Sequence, residues 1–326
     1  MLARSKSLTS YALSAAATIA LLVGCSGGSS VVVPGRAMPE GDAHDWQFKT
    51  HDACPATGAI EYVSDGPNHA VNVYAGRFAS QAPCGQITVG LTFPAGLFVQ
   101  TSTHDLYVAD LGSGIVEVYH RGQTTPYKNY KDPSNQNVED VAVAPDGTVL
   151  ATNYHSRNKT ERGSISTWIG GPNGGTFVGN FPMQHSKDGW NITVRNNGIV
   201  YFSYVTRNWR GELWKMRCPA GACGTQTQIA GVLFEFPGGM QFDASDDLVA
   251  ADQAGLAETF ELPNPSPKTF PVGDPVGMAL SESDHHLFVA DQRNNDAAEY
   301  SYPGGKLIGT VPGMPFGLPY GIAFDP

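Results

Sequence analysis

Basic charge is scarce in this chain of 326 residues, which holds 20 Lys and Arg against 30 Asp and Glu, a formal net charge of −10. Phosphate contacts need a concentrated positive face, so nucleic acid is excluded as a partner class. Catalytic signatures are missing too. There is no CxxC pair, no GxSxG elbow, no phosphate-binding glycine loop and no nucleotide fingerprint, and the GPNGG stretch leads into no helix. The histidines are scattered: His69, His104, His155, His185, His285 and His286 fall mostly in loops, without the paired placement that a zinc site or a lyase requires. The apolar run Tyr11 to Val23 is too short to span a bilayer comfortably.

What the chain has is repetition. Leu106 to Tyr119 reads LYVADLGSGIVEVY and Leu287 to Tyr300 reads LFVADQRNNDAAEY, with a third copy at Glu61 to Tyr74, EYVSDGPNHAVNVY. Weaker copies begin at Leu150 (LATNY), Val200 (VYFSY) and Leu248 (LVAAD). Aligning Tyr62, Tyr107, Ala151, Phe202, Val249 and Phe288 gives a period of roughly 40 to 50 residues, that of four-stranded blades. Alternation of period two excludes helical solenoids. Each copy except the first is preceded by another strand signal, such as PAGLFV or VEDVAVAPDG, and the missing one stands at the far end as PYGIAFDP, Pro319 to Pro326.

These features predict an all-β fold, a six-bladed β-propeller of four-stranded antiparallel blades in which the C-terminal strand joins the first blade and closes the ring. Composition agrees: 41% hydrophobic and 15% charged residues suit strands buried on both faces, and 38 Gly with 23 Pro supply turns. Asp65, Asp110, Asn153, Asp252 and Asp291 close the second strand of their blades, where a short acceptor can take backbone N–H groups from the following loop. Tyr204 departs from that pattern.

Arg4 and Lys6 precede the apolar run, which ends LLVGC at Cys25. This resembles a bacterial lipoprotein signal peptide, which implies residues 1–24 as leader, diacylation of Cys25, a tether over 25–45 and the propeller over 46–326. Ser26 in place of Asp favours an outer membrane where the host has one. Loss of the leader leaves 18 basic against 30 acidic residues. Export suits the cysteines, since four remain beside Cys25, an even number. Cys218 and Cys223 bracket a short loop that a disulfide can staple; Cys54 and Cys84 pair by elimination. Free thiols or a zinc site are the alternatives.

The repeats resemble NHL-type propeller repeats over residues about 60 to 326, through a Pro-x-Gly-[Ile/Leu/Met]-Ala start and a Leu-[Tyr/Phe]-Val-Ala-Asp second strand. That resemblance extends to non-catalytic interaction domains, gluconolactonase-like calcium hydrolases and virginiamycin B lyase-like propellers, and so implies a site at the channel mouth. The equivalent positions here are Ala95-Gly96, Glu139-Asp140, Trp190-Asn191, Gly238-Gly239, Val276-Gly277 and Tyr320-Gly321. Glu139, Asp140 and Asn191 are the polar candidates; a calcium ion wants about six or more oxygens, so this set is depleted and no cofactor is expected. Arg157, Arg162, Arg207, Trp209 and Arg210, in the longest loops, form a candidate binding face together with the available aromatics Trp168, Trp190, Trp214 and Tyr320. The favoured reading is a lipid-anchored envelope module binding a protein, peptide or glycan; the alternative is a calcium-dependent hydrolase or lyase.

Overall fold

A computed structural model of the chain describes Cys54 and residues 57–326, except 77–81, 135, 157–161, 171–174, 185, 263, 265, 282, 284, 312–316 and the side chain of Ser156. Cys25, the leader, the tether and Arg157 lie outside the described residues.

The regular structure of the described chain is almost entirely strand. In chain order these are β1 (Ile60–Asp65), β2 (Ala70–Ala75), β3 (Gly85–Ile87), β4 (Pro94–Gln100), β5 (Asp105–Asp110), β6 (Ile115–Tyr119), β7 (Lys128–Lys131), β8 (Gln136–Val143), β9 (Thr148–Ser156), β10 (Ser164–Ile169), β11 (Thr176–Pro182) and β12 (Ser186–Val194). There follow β13 (Ile199–Thr206), β14 (Gly211–Arg217), β15 (Thr227–Phe234), β16 (Pro237–Phe242), β17 (Leu248–Asp252), β18 (Leu256–Phe260), β19 (Lys268–Pro271), β20 (Pro275–Leu280), β21 (His286–Asp291), β22 (Asp296–Ser301), β23 (Leu307–Thr310) and β24 (Pro319–Asp325). They form six sheets of four antiparallel strands, β4 to β7, β8 to β11, β12 to β15, β16 to β19, β20 to β23, and a first blade ordered β24-β1-β2-β3. The innermost strands β24, β4, β8, β12, β16 and β20 contact one another in that order and return to β24, so the ring is closed.

The second strands show why the sequence specifies blades. IEYVSD of β1 and DLYVAD of β5 are buried at every residue, because one face packs on the preceding blade and the other on the next. Leu106 and Val108 thus join Tyr62 and Val73 in one cluster, whereas Tyr107 and Ala109 join Tyr130 and Trp168 in the neighbouring one. Among the described tryptophans, Trp168 and Trp214 are buried between blades and only Trp209 is exposed.

The closing strand is fastened at the seam. Asp325 of β24 is fully buried, with Arg121 Nη1 at 2.6 Å from Oδ2 and His104 Nδ1 at 2.6 Å from Oδ1. Cys54 is bridged to Cys84 beside β3, Cα to Cα 5.0 Å, and Cys218 to Cys223 across the loop after β14, 3.9 Å.

The strand-closing acids mostly serve a different segment from the one expected. Asp110 accepts the N–H groups of Thr92 and Phe93, Asp252 those of Glu235 and Phe236, Asp291 that of Asp274, and Asp65 those of Gly317 and Leu318. Each donor stands just ahead of the proline that opens the innermost strand of the same blade. Asp65, Asp252 and Asp291 also bind their own following loops, through Asn68, Ala254, Arg293 and Asn294. Asn153 instead donates to Ser164 and Ser166 within its blade, and at the Tyr204 position Glu212 accepts from both Tyr204 and Trp214.

Candidate functional site

Each innermost strand pairs on one side only, so six strand edges face a central channel. All six strands carry a register shift near their start: between Pro94 and Leu97, Val138 and Asp140, Gly189 and Ile192, Pro237 and Met240, Pro275 and Gly277, and opposite Val63 and Asp65 in β24. A bulge leaves residues unpaired and re-aims their side chains. The positions picked out above as the channel mouth, including Glu139, Trp190 and Asn191, are the bulged ones. Hydroxyls of the second strands anchor several of them: Ser64 donates to Ala95 O at 2.6 Å and accepts from Gly321 N–H, Thr152 donates to Trp190 O at 2.6 Å, and Ser203 accepts from Asn191 N–H at 3.2 Å.

The channel encloses a cavity of about 680 Å³. Its lining runs from the bulges, at Gly96, Glu139, Asp140, Trp190, Asn191 and Tyr320, along the inner strands to the turns beyond them at Ser102, Pro145, Asn196 and Ala244. At the strand-start end an apolar cluster gathers Ala95, Val276 and Tyr320 with Phe93, Leu111 and Leu318. On the other side of the ring Trp190 lies between Tyr154, 5.5 Å away, and Phe236, 4.8 Å away. Of these side chains Trp190, Val276 and Tyr320 line the cavity and floor this end of it.

Glu139, Asp140 and Asn191 meet at that floor. Asp140 Oδ1 accepts Val141 N–H at 2.9 Å and Oδ2 accepts Ile192 N–H at 3.0 Å, while Asn191 Nδ2 lies 3.5 Å from Oδ2. Gly96 of the neighbouring blade makes room for this carboxyl, since a Cβ there would stand 2.1 Å from Oδ1. Glu139 Oε2 and Asn191 Oδ1 are buried and have no hydrogen-bond partner. Burial, reinforced by Asp140 and Asp188, pushes the Glu139 carboxyl up to about 8. Burial likewise raises Asp140 to about 7, against the backbone N–H groups that favour its anion.

The sequence did not bring out the second half of the site. Asp188 and His155 are 3.4 Å apart, Lys187 Nζ is 3.4 Å from Asp188, and Tyr154 feels the charges of Asp188 and Glu139. His155, which the sequence places among scattered loop histidines, lies on β9 beside this group. Its signal was its position directly after Tyr154, in the loop-proximal end of the strand whose neighbour carries Glu139. Lys187 also joins the site to the candidate loop face, its Nζ 3.3 Å over the Trp209 ring. Arg162, Arg207, Trp209 and Arg210 are exposed. The turn from Thr206 to Arg210 stands at the strand-start face, because Thr206 pairs with Ser186 at the head of β12. The loop face and the cavity's turn-lined end are thus on opposite sides of the ring.

The donor set does not fit calcium. Two unpartnered oxygens come from adjacent blades, whereas Gly96, Gly239, Gly277 and Gly321 present no side chain. Among the described residues no three His, Cys, Asp or Glu side chains converge as metal ligands.

No protein-family model matches the sequence, and no curated protein sequence matches it. Solved structures do. A chain of the nidogen/laminin complex is similar over 82% of this chain and 99% of its own, at 14% identity and a TM-score of 0.66. A Bacteroides caccae protein of unknown function matches over the same shares at 11% identity and 0.61. Hydrazine synthase of Kuenenia stuttgartiensis matches over 74% of this chain and 92% of its own, at 15% and 0.53. The likeness is one of fold. At such identities activity does not transfer, because propellers keep their scaffold while the site residues change.

Proposed function

We propose that the chain is a lipid-anchored, extracytoplasmic binding module, tethered through Cys25 and displaying a rigid propeller whose ligand is a protein, peptide or glycan. The observation that carries the binding reading is the pair of buried, unpartnered oxygens, Glu139 Oε2 and Asn191 Oδ1, on two residues that line a cavity of about 680 Å³. A native site leaves such groups unpaired when a ligand supplies the missing partners. Disulfides suit an oxidising compartment, and the nidogen/laminin likeness supports use of this fold in an assembly. The exposed Arg162, Arg207, Trp209 and Arg210 add a second contact surface on the strand-start face.

A second reading, a hydrolase or lyase acting from the channel floor, draws support from Glu139 raised to about 8 and Asp140 to about 7, values suited to general acid–base work at neutral pH. The experiment that separates the two joins acyl labelling to function. Fatty-acid label and membrane fractionation are expected to be lost in Cys25→Ala, and a variant with both long loops shortened is expected to lose capture of envelope material. Bound calcium with lactone or ester turnover that disappears in Glu139→Gln would reject the binding-module reading.

A further inference from the structure

We propose that the floor of the channel cavity is a site for an organic ammonium ion, held by the Glu139 carboxylate, the Asn191 carboxamide oxygen and the rings of Trp190 and Tyr320. The inference rests on the reading that the channel is a binding site and names the ligand chemistry. Asn191 Oδ1 is an acceptor, and Glu139 Oε2 becomes one when its carboxyl ionises, so a ligand that completes both carries positive charge or donates hydrogen. Their direction is set by the neighbour: Asn191 Nδ2 is turned to Asp140, which leaves Oδ1 unpartnered.

Charge at the floor is unbalanced. Lys187 and His155 both approach Asp188, but none of the described ion pairs includes Glu139 or Asp140. Asp140 on its own strand, Asp188 on β12 and Tyr154 on β9 act on Glu139 through their charges, Lys187 and His155 stand at Asp188, and Tyr320 on β24 acts on Tyr154. An incoming cation therefore meets two carboxyls that no protein cation neutralises.

The rings select the kind of cation. Trp190 and Tyr320 line the cavity, the first set edge to face with Phe236 at 4.8 Å and the second with Phe93 at 5.3 Å. An aromatic face attracts an alkylammonium ion and also takes up its apolar carbons, as aromatic cages for quaternary ammonium do. A hard metal ion would instead have to exchange its water for two oxygens and a wall of Val, Ile, Leu and Met, which favours leaving it in solvent. A neutral polyol could complete the orphan acceptors but gains nothing from ionising Glu139.

Loading the site is coupled to a proton. The empty floor holds Glu139 near 8 and Asp140 near 7, so at neutral pH it is largely protonated. A cation favours the carboxylates and expels the proton, which makes binding tighter as pH rises from about 6 to about 9.

The test is calorimetric titration of the full-length protein with choline, with the uncharged alcohol in which carbon replaces the quaternary nitrogen, and with calcium chloride. Choline is expected to bind about tenfold or more tightly than its neutral isostere, as expected for an ion that meets both a carboxylate and a ring face. Repeating the titration in two buffers of different ionisation heat is expected to show proton release. The near-isosteric Glu139→Gln is expected to remove both the charge preference and the proton release while the melting transition stays cooperative. Equal affinity for choline and the alcohol, or Glu139-dependent calcium binding with choline silent, would overturn the ammonium site while leaving a ligand site in the channel. Silence toward all three probes, with envelope capture by the loops intact, would reject the channel site and leave the loop surface standing.

Discussion

Asp252 shows how much one short side chain does in this ring. Its carboxylate takes the N–H groups of Glu235 and Phe236 ahead of the inner strand and that of Ala254 beyond its own. Replacing it by Ala orphans three donors in a half-buried place, at a cost of about 1–3 kcal/mol for each one left without water. Asp252→Ala is therefore expected to lower stability by about 2–4 kcal/mol in urea unfolding monitored by fluorescence. An unchanged midpoint would mean that water replaces the carboxylate there. Glu139 behaves oppositely: its Oε2 has no partner to lose. Glu139→Gln is expected to keep or raise stability above neutral pH, measured as melting temperature at about pH 8.5, because it deletes a carboxyl that burial makes costly to ionise.

Among the elements, the bulged start of the inner strands combines fold and site. Gly96 lies where β4 passes Asp140 of β8, and Gly321 lies where β24 passes β4, a Cβ there standing 2.2 Å from Ala95 O. Side chains at either place force neighbouring strands apart. Gly96→Ala is expected to displace the Asp140 carboxyl and cost about 1–3 kcal/mol, with choline affinity falling in parallel if the floor is the binding site. β24 is the element on which closure depends, since it supplies the inner strand of the first blade and the Asp325 carboxylate that Arg121 and His104 meet. Deletion of residues 319–326 is expected to abolish the cooperative melting transition; a truncated chain melting as the full one does would show that the ring holds without its closing strand.

At the scale of the molecule, several carboxyls are buried in the blades and raised: Glu117 and Glu258 to about 7, Asp296 to about 6, beside Glu139 and Asp140. Burial is the first cause in every case. A carboxyl raised in the folded state holds its proton more tightly than in the unfolded chain. The stability it contributes is thus full below the ordinary carboxylate range and is lost as pH rises through about 6 to 8. Melting temperature is expected to be higher at about pH 5.5 than at about pH 8.5, with a shallower slope in Glu139→Gln. A flat profile across that interval would show that these groups keep ordinary affinities for the proton.

The amino-acid sequence alone determined the blades. Period-two runs buried on both faces, spaced at a blade's length, and a first repeat lacking the strand found at the C-terminus leave few other ways to bury Leu106, Val108, Leu287 and Val289. It also marked Glu139, Asp140 and Asn191, because the Pro-x-Gly start recurs at a countable position. Only the tertiary structure decided what those positions do. Bulging turned Glu139 and Asn191 toward the channel, Gly96 admitted Asp140, and the second strand of one blade brought Tyr154 and His155 beside Asp188 and Trp190 of the next. The strand-closing acids were legible as structural, and so were following-loop partners such as Ala254 at Asp252, but the N–H groups ahead of the inner strands were not, since they stand some sixteen or more residues away in the chain, as Phe236 does from Asp252. Repetition is a local pattern and can be read along a line; a site assembled across blades depends on which side chains the closed ring brings face to face.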